Sequence, residues 1–156
     1  MAIRRIMIIG GPGSGKTWLA RRLGRRYELP VHAVDEEVWD PLGNLRAPDD
    51  IDARVRRLTA QERWIIEGGN SRTYIDRVQR ADAIIRMVPP VWLRLSRVLR
   101  RDGIRIQLLR WTLRYDEVFG PKDRLALESG QGSATCIEIG SNTELLRLLR
   151  GGIEEF

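Results

Sequence analysis

Lysine is nearly missing from this chain. Of 27 basic residues in 156, only Lys16 and Lys122 are lysines; the other 25 are arginines. Histidine and cysteine occur once each. The single Cys136 excludes an internal disulfide, and its apolar setting, ATCIEI, suits a small buried side chain. His32 has no cysteine or second histidine near it, which excludes a histidine- or thiolate-based metal set. No apolar stretch approaches the roughly 20 residues that a spanning helix needs, so no membrane partner is expected. The apolar part of MAIRRIMIIGG is too short for a secretory leader, and a cytoplasmic location is expected. Linkers, repeats and low-complexity segments are also missing, so residues 1–156 are taken as one domain.

The rest is ordinary for a globular protein: 42% hydrophobic and 31% charged residues. The net charge of +6 hints at anionic partners. The arginines are scattered along the whole chain, which reads as a compositional bias. No specific nucleic-acid partner is expected, and the oligomeric state is left open.

Short apolar runs alternate with helical patterns, the mark of an α/β fold with a parallel sheet between helices. Strands are expected at Ile6–Ile9, Val31–Val34, Trp64–Ile66, Ala83–Met87 and Thr135–Ile139. A helix follows the first strand with Leu19, Ala20, Leu23 and Tyr27 on one face. Another opens at Pro48-Asp49-Asp50 with Ile51, Val55 and Leu58 as its stripe. After Pro89-Pro90 a long helix is expected with Trp92, Leu95, Val98 and Leu99 inward. A second helical stretch covers about Ile104–Tyr115. Ser141 or Asn142 caps a last helix carrying Leu145, Leu148 and Leu149.

Gly10 to Thr17 reads GGPGSGKT, a match to G-x-x-x-x-G-K-[ST]. Gly11, Gly13 and Gly15 permit a wrap in which successive N–H groups face an anion. The helix starting near Lys16 adds its positive dipole end. The expected phosphate site is Gly10, Gly11, Pro12, Gly13, Ser14, Gly15, Lys16 and Thr17, with Trp18 next in line. Lys16 reaches the β- and γ-phosphates, and the Thr17 hydroxyl ligates Mg²⁺. The motif follows an expected strand and opens an expected helix. One of only two lysines stands where a compact ammonium is required and a flat guanidinium does not fit. ATP is the expected nucleotide, ahead of GTP.

Ligands of open α/β sheets sit beyond the carboxyl ends of the strands. The second and third strands end in carboxylates there, Asp35 and Glu67. Such acids hold Mg²⁺ through water or accept a hydroxyl proton; the alternative is a solvated strand end. Gly68-Gly69 after Glu67 lets a ligand approach the backbone. Arg72 beyond them can pair an anionic group bidentately. Trp39 can stack on an acceptor or serve the core. Arg97 and Arg101, spaced i, i+4, either stabilise phosphoryl charge or form a solvated basic face.

With these residues in view, the chain resembles P-loop kinases of adenylate-kinase type. More closely it resembles the DNA topology modulation kinase-like (FlaR-related) proteins. The matching stretches are GGPGSGKTWLARRL, VHAVDEEVW, WIIEGGNSRTYIDRV, RADAII, LSRVLRR and IEIGSNTELLRLL. The resemblance implies a five-stranded parallel sheet of order 2-3-1-4-5 with flanking helices. It implies an acceptor site over Asp35, Trp39, Glu67, Gly68 and Arg72. It implies a small helical lid, about residues 97–128, carrying Arg97, Arg101, Arg110 and Arg114. It also implies that the Gly140–Thr143 loop, with Ser141 and Asn142, touches the base. The chain departs from that pattern at Glu67, where aspartate is usual. It departs again at Gly69-Asn70, and at Val88 to Val91, where an acid and an arginine are usual. The expected function is transfer of the γ-phosphate of ATP to a small polar or anionic acceptor, a nucleoside monophosphate or a sugar-like metabolite. The alternative is a nucleotide-dependent regulatory or DNA-associated binding protein without turnover.

Overall fold

The five apolar runs become five strands: β1 (Arg5–Gly10), β2 (Val31–Ala33), β3 (Trp64–Glu67), β4 (Ala83–Met87) and β5 (Thr135–Ile139). They lie in one sheet of order β2-β3-β1-β4-β5, and every pairing is parallel. The computed structural model describes residues 3–156. Eight α-helices are described: α1 (Lys16–Tyr27), α2 (Val34–Val38), α3 (Pro48–Thr59), α4 (Tyr74–Val78), α5 (Val91–Asp102), α6 (Ile106–Val118), α7 (Gly120–Ser129) and α8 (Asn142–Gly151). None among the described residues is long and apolar enough to cross a membrane.

The central strand explains the layering. Successive side chains of β1 point to opposite faces. Ile6 and Ile8 pack with Leu19, Ala20 and Leu23 of α1 and Leu148 of α8. Met7 and Ile9 pack with Val55 of α3, Val78 of α4 and Ala126 of α7. Both faces are therefore covered, which is why this strand reads as an unbroken apolar run. Ile8 of β1 pairs with Glu67 of β3, and the Gly68 amide donates to the Ile8 carbonyl at 3.0 Å. That register carries Glu67 to the carboxyl edge of the sheet, beside the loop that leaves β1.

Several expectations are corrected. β2 stops at Ala33, and Val34 opens the short helix α2, so Asp35 lies in a helical first turn. Three adjacent acids, Asp35, Glu36 and Glu37, favour that turn through the helix dipole. The inward face of α5 is Arg94 and Val98, not Trp92 and Leu99, which are 67% and 47% exposed. The reason lies in what α5 packs against. A β-carbon on Gly11 would come within 2.3 Å of Arg94 Nη1, and one on Gly13 within 2.5 Å of the Arg94 carbonyl oxygen. The helix lies on glycine backbone, and the side chains that suit polar backbone are arginines. The second helical stretch runs Ile106–Val118, and α7 follows it, a helix the periodicity did not reveal. Ser141 is the cap of α8: it closes a capping box with Glu144.

Candidate active site

The loop between β1 and α1 has the geometry its glycines permit. Gly10, Gly13 and Gly15 take φ values of 140°, 71° and 96°. The Ser14 amide donates to the Gly11 carbonyl at 3.2 Å, tightening the turn. Helix α1 then starts with no side-chain cap and no acid in its first turn. Its free N–H groups and positive dipole end are thus available to an anion. The Lys16 ammonium folds back and donates to the Gly11 carbonyl at 3.0 Å. Burial pushes its pKa down, while Glu67, Asp35 and Asp123 pull it back up. The half-buried ammonium stands at the start of α1, where it and the free amides attract phosphate oxygens together.

Thr17 and Glu67 meet directly: the Thr17 hydroxyl donates to Glu67 Oε1 at 2.6 Å. Glu67 is buried. Burial raises its pKa, and the Thr17 hydrogen bond and Lys16 oppose that rise. The two side chains supply hard oxygen donors at one point, the donor type of Mg²⁺. Among the described residues no cluster of three or more His, Cys, Asp or Glu could hold a metal ion by itself. A divalent ion here needs ligand oxygens from elsewhere, as Mg²⁺ sites that use phosphate and water do. Asp35 is exposed, and its charge acts on both Lys16 and Glu67.

Beyond Glu67 the chain turns through Gly68, at φ 109°, and Asn70, at φ 64°. The turn is held by Arg77, a fully buried residue of α4 that the sequence reading missed. Its guanidinium donates to the carbonyls of Gly68 at 3.0 Å, Gly69 at 2.5 Å and Asn70 at 3.1 Å. Burial lowers its pKa to about 10. No atom lies within 4 Å of where a β-carbon on Gly69 would stand, so that side of the loop is open. Arg72 is not free for a ligand. Its guanidinium pairs with Asp49 at 2.5 Å and with Asp52 at 2.7 Å, both on α3. Asp52 is buried and also accepts from Asn70 Nδ2 at 2.9 Å. Trp39 is exposed and bridges to Leu45 at the end of α2, outside the core.

A second buried polar cluster stands behind the loop. Asp123 of α7 accepts from the Tyr74 hydroxyl at 2.7 Å and from the Tyr115 hydroxyl at 3.0 Å. Burial raises all three pKa values, so both phenols stay protonated as donors. Tyr115 lies against Gly11, where an added β-carbon would be 3.0 Å from its ring. The cluster ties α4, α6 and α7 together behind the phosphate loop. Pro121 and Asp123 in the first turn of α7 are the helix-start signal that could have found it.

Arg97 donates to the carbonyls of Gly13 and Ser14, each at 3.3 Å. With Arg101 it lines a cavity of about 560 Å³ that also holds Lys16, Thr17 and Trp18. On the other side of Arg97 is a smaller hollow of about 250 Å³, lined by Pro90, Trp92, Ser141 and Asn142 among others. Arg110 and Arg114 are exposed on α6 and line neither hollow.

The chain matches no family model and no curated relative. Solved structures do resemble it. A shikimate kinase from Acinetobacter baumannii, in complex with shikimate, aligns with a TM-score of 0.66 at 18% identity, over 96% of this chain and 94% of that one. A gluconokinase from Sinorhizobium meliloti 1021 aligns with a TM-score of 0.59 at 16% identity, over 99% and 93%. A shikimate kinase from Aquifex aeolicus aligns with a TM-score of 0.57 at 19% identity, over 97% and 99%. These likenesses extend over nearly the whole length of each chain, and the fold is that of P-loop kinases.

Proposed function

We propose that this chain is a phosphotransferase that moves the γ-phosphate of ATP, with Mg²⁺, to a small polar or anionic acceptor. The observation that carries the reading is the meeting of Thr17 and Glu67 at 2.6 Å beside the half-buried Lys16. A hydroxyl and a carboxylate at that point are the donors Mg²⁺ takes alongside phosphate. Bound Mg²⁺ would neutralise charge on the phosphate oxygens. Lys16 and the loop amides hold the phosphates, and Arg97 and Arg101 add charge over them. Asp35 orients the acceptor hydroxyl and takes its proton. Gly69 leaves the open side of its loop to the acceptor, Gly68 being engaged by Ile8 and Arg77, and Arg77 keeps that loop in shape. Ser141 and Asn142 flank the base. We read residues 1–156 as one domain whose segment 97–128 closes over the site.

Two of the similar structures are of a shikimate kinase holding shikimate and of a gluconokinase. A small hydroxyl-bearing acid of that kind is one acceptor class with a hydroxyl for Asp35 to orient. Arg72 is already engaged by Asp49 and Asp52, so an anionic group on the acceptor would share it with them. The nearer kinship to DNA topology modulation kinase-like proteins is our reading of VHAVDEEVW and WIIEGGNSRTYIDRV. The DNA-associated alternative draws on the net charge of +6 and on that resemblance.

ADP release tests this across a panel of sugars, hydroxy acids and nucleoside monophosphates. One class should stimulate it above basal hydrolysis, and Asp35→Asn should remove that stimulation while Mg-ATP affinity holds. If no acceptor stimulates release, the reading gives way to the binding-protein alternative.

A further inference from the structure

Helix α1 continues the positive charge of the phosphate loop along its length. The 560 Å³ groove is lined by Lys16, Arg21 and Arg25 from α1's side and by Arg97 and Arg101 from α5. No carboxylate lines it. Arg101 is close enough to Lys16 to lower its pKa. Arg101 pairs with Asp102 at 2.8 Å and Lys16 has Glu67 near it, but Arg21, Arg25 and Arg97 face the hollow with no ion pair among the described residues, and an anion complements them. Lys16, Arg97 and Arg101 already surround the loop. Arg21 and Arg25 follow Thr17 by four and eight residues, so they stand about 6 and 12 Å farther along the helix axis. Both line the same hollow as Lys16 and Thr17, one and two turns beyond the phosphate loop.

We propose that this groove binds a linear chain of phosphates longer than that of ATP. Its leading phosphates occupy the loop, and its trailing phosphates are held between Arg21 and Arg25. The proposal rests on the nucleotide-site reading above and extends it to inorganic polyphosphate as a ligand competing with ATP. Arginine forks suit successive phosphates bidentately. A single-stranded nucleic acid is the less fitting occupant, because it needs aromatic faces for its bases. The one aromatic lining the groove, Trp18, has the Arg22 guanidinium 4.7 Å over its ring.

Direct titration of the full chain with tripolyphosphate and with medium-chain linear polyphosphate, each also competed against Mg-ATP, tests the proposal. The longer chain should bind about tenfold more tightly than tripolyphosphate, a difference of about 1.4 kcal/mol. The Arg21→Gln, Arg25→Gln double variant should abolish that preference, with Mg-ATP affinity within about twofold of wild type; both side chains are exposed, and changes there scarcely alter folding. Equal affinity for the two chain lengths, or a preference that survives in the variant, overturns the proposal. So does a 5′-phosphorylated oligonucleotide of matched charge that outcompetes polyphosphate and loses that advantage in the variant. Failure of Mg-ATP to bind would sink the nucleotide reading instead, and the length preference would still be read from the direct titration.

Discussion

The two halves of the sheet's carboxyl edge are built differently. At β1 the site is made of backbone: glycines at positive φ, free amides at the start of α1, and a lysine that folds onto its own loop. At β3 it is made of side chains brought from elsewhere. Arg77 of α4 holds three carbonyls, Asp52 of α3 holds Asn70 and Arg72, and Asp123 of α7 holds two tyrosines. A backbone site needs its residues consecutive, so it tolerates little change and recurs as a motif. A side-chain site needs only that the right groups converge, so many sequences serve. The first kind fixes what is bound on one side of the reaction; the second is free to vary the other.

The sharpest way to break the comparison is Lys16→Ala. On our reading it loses turnover by on the order of 10²–10³-fold, as for other single groups that stabilise transferring charge. Calorimetry should show weakened Mg-ATP binding, and circular dichroism an intact fold. Unchanged Mg-ATP affinity in a folded variant would remove the backbone half of the contrast.

Next in size is Arg77→Met, aimed at the other half. It leaves three carbonyls without their charged donor and should cost about 3 kcal/mol of stability, measured by urea denaturation. Acceptor-stimulated ADP release should fall further than Mg-ATP affinity does. Equal losses in both would mean that the two halves are not separable.

Glu67→Gln probes the seam between them. A carboxyl whose folded pKa is raised stabilises the fold in its protonated form. That contribution is present below the unfolded value and is lost as pH rises through the folded one. Burial raises the pKa of Glu67, so ionising it costs the wild type stability, a cost the glutamine variant lacks. Melting curves from about pH 4 to about pH 8 should show the variant gaining on the wild type as pH rises past the ordinary carboxylate range. Its Mg²⁺ requirement for turnover should rise by about tenfold or more. A constant stability gap across that window would show that Glu67 is not held at the expense of the fold.

The smallest effect is expected at Trp39→Ala. Trp39 is exposed, so stability should stay within about 0.5 kcal/mol. Any kinetic change should fall on the acceptor KM and leave ATP affinity alone. A fall in both would place Trp39 on the nucleotide side.

The same division explains what the sequence alone disclosed. The strand runs, their parallel arrangement, the phosphate loop and the place of Glu67 at the carboxyl end of its strand follow from period, glycine spacing and a well-placed lysine. Arg77 and Arg94 were illegible because arginine is everywhere in this chain, and nothing in the order of letters separates the buried ones from the solvated ones. The inward face of α5 was misread because apolar periodicity assumes an apolar neighbour, whereas this helix rests on glycine backbone. Helix α7 has little apolar asymmetry and was lost for that reason, and the Tyr74–Asp123–Tyr115 cluster with it. Arg72 was legible as a cation near the acceptor loop, but its partners Asp49 and Asp52 lie 23 and 20 positions earlier, on another helix.

The hydrogen bond from Thr17 to Glu67 has a consequence for preorganisation. The hydroxyl gives its one proton to the carboxylate and keeps both lone pairs of its oxygen. On our reading a cation takes one of those lone pairs with the hydrogen bond intact. The rotor is already set by the carboxylate, so the entropy lost in fixing it belongs to folding and not to binding.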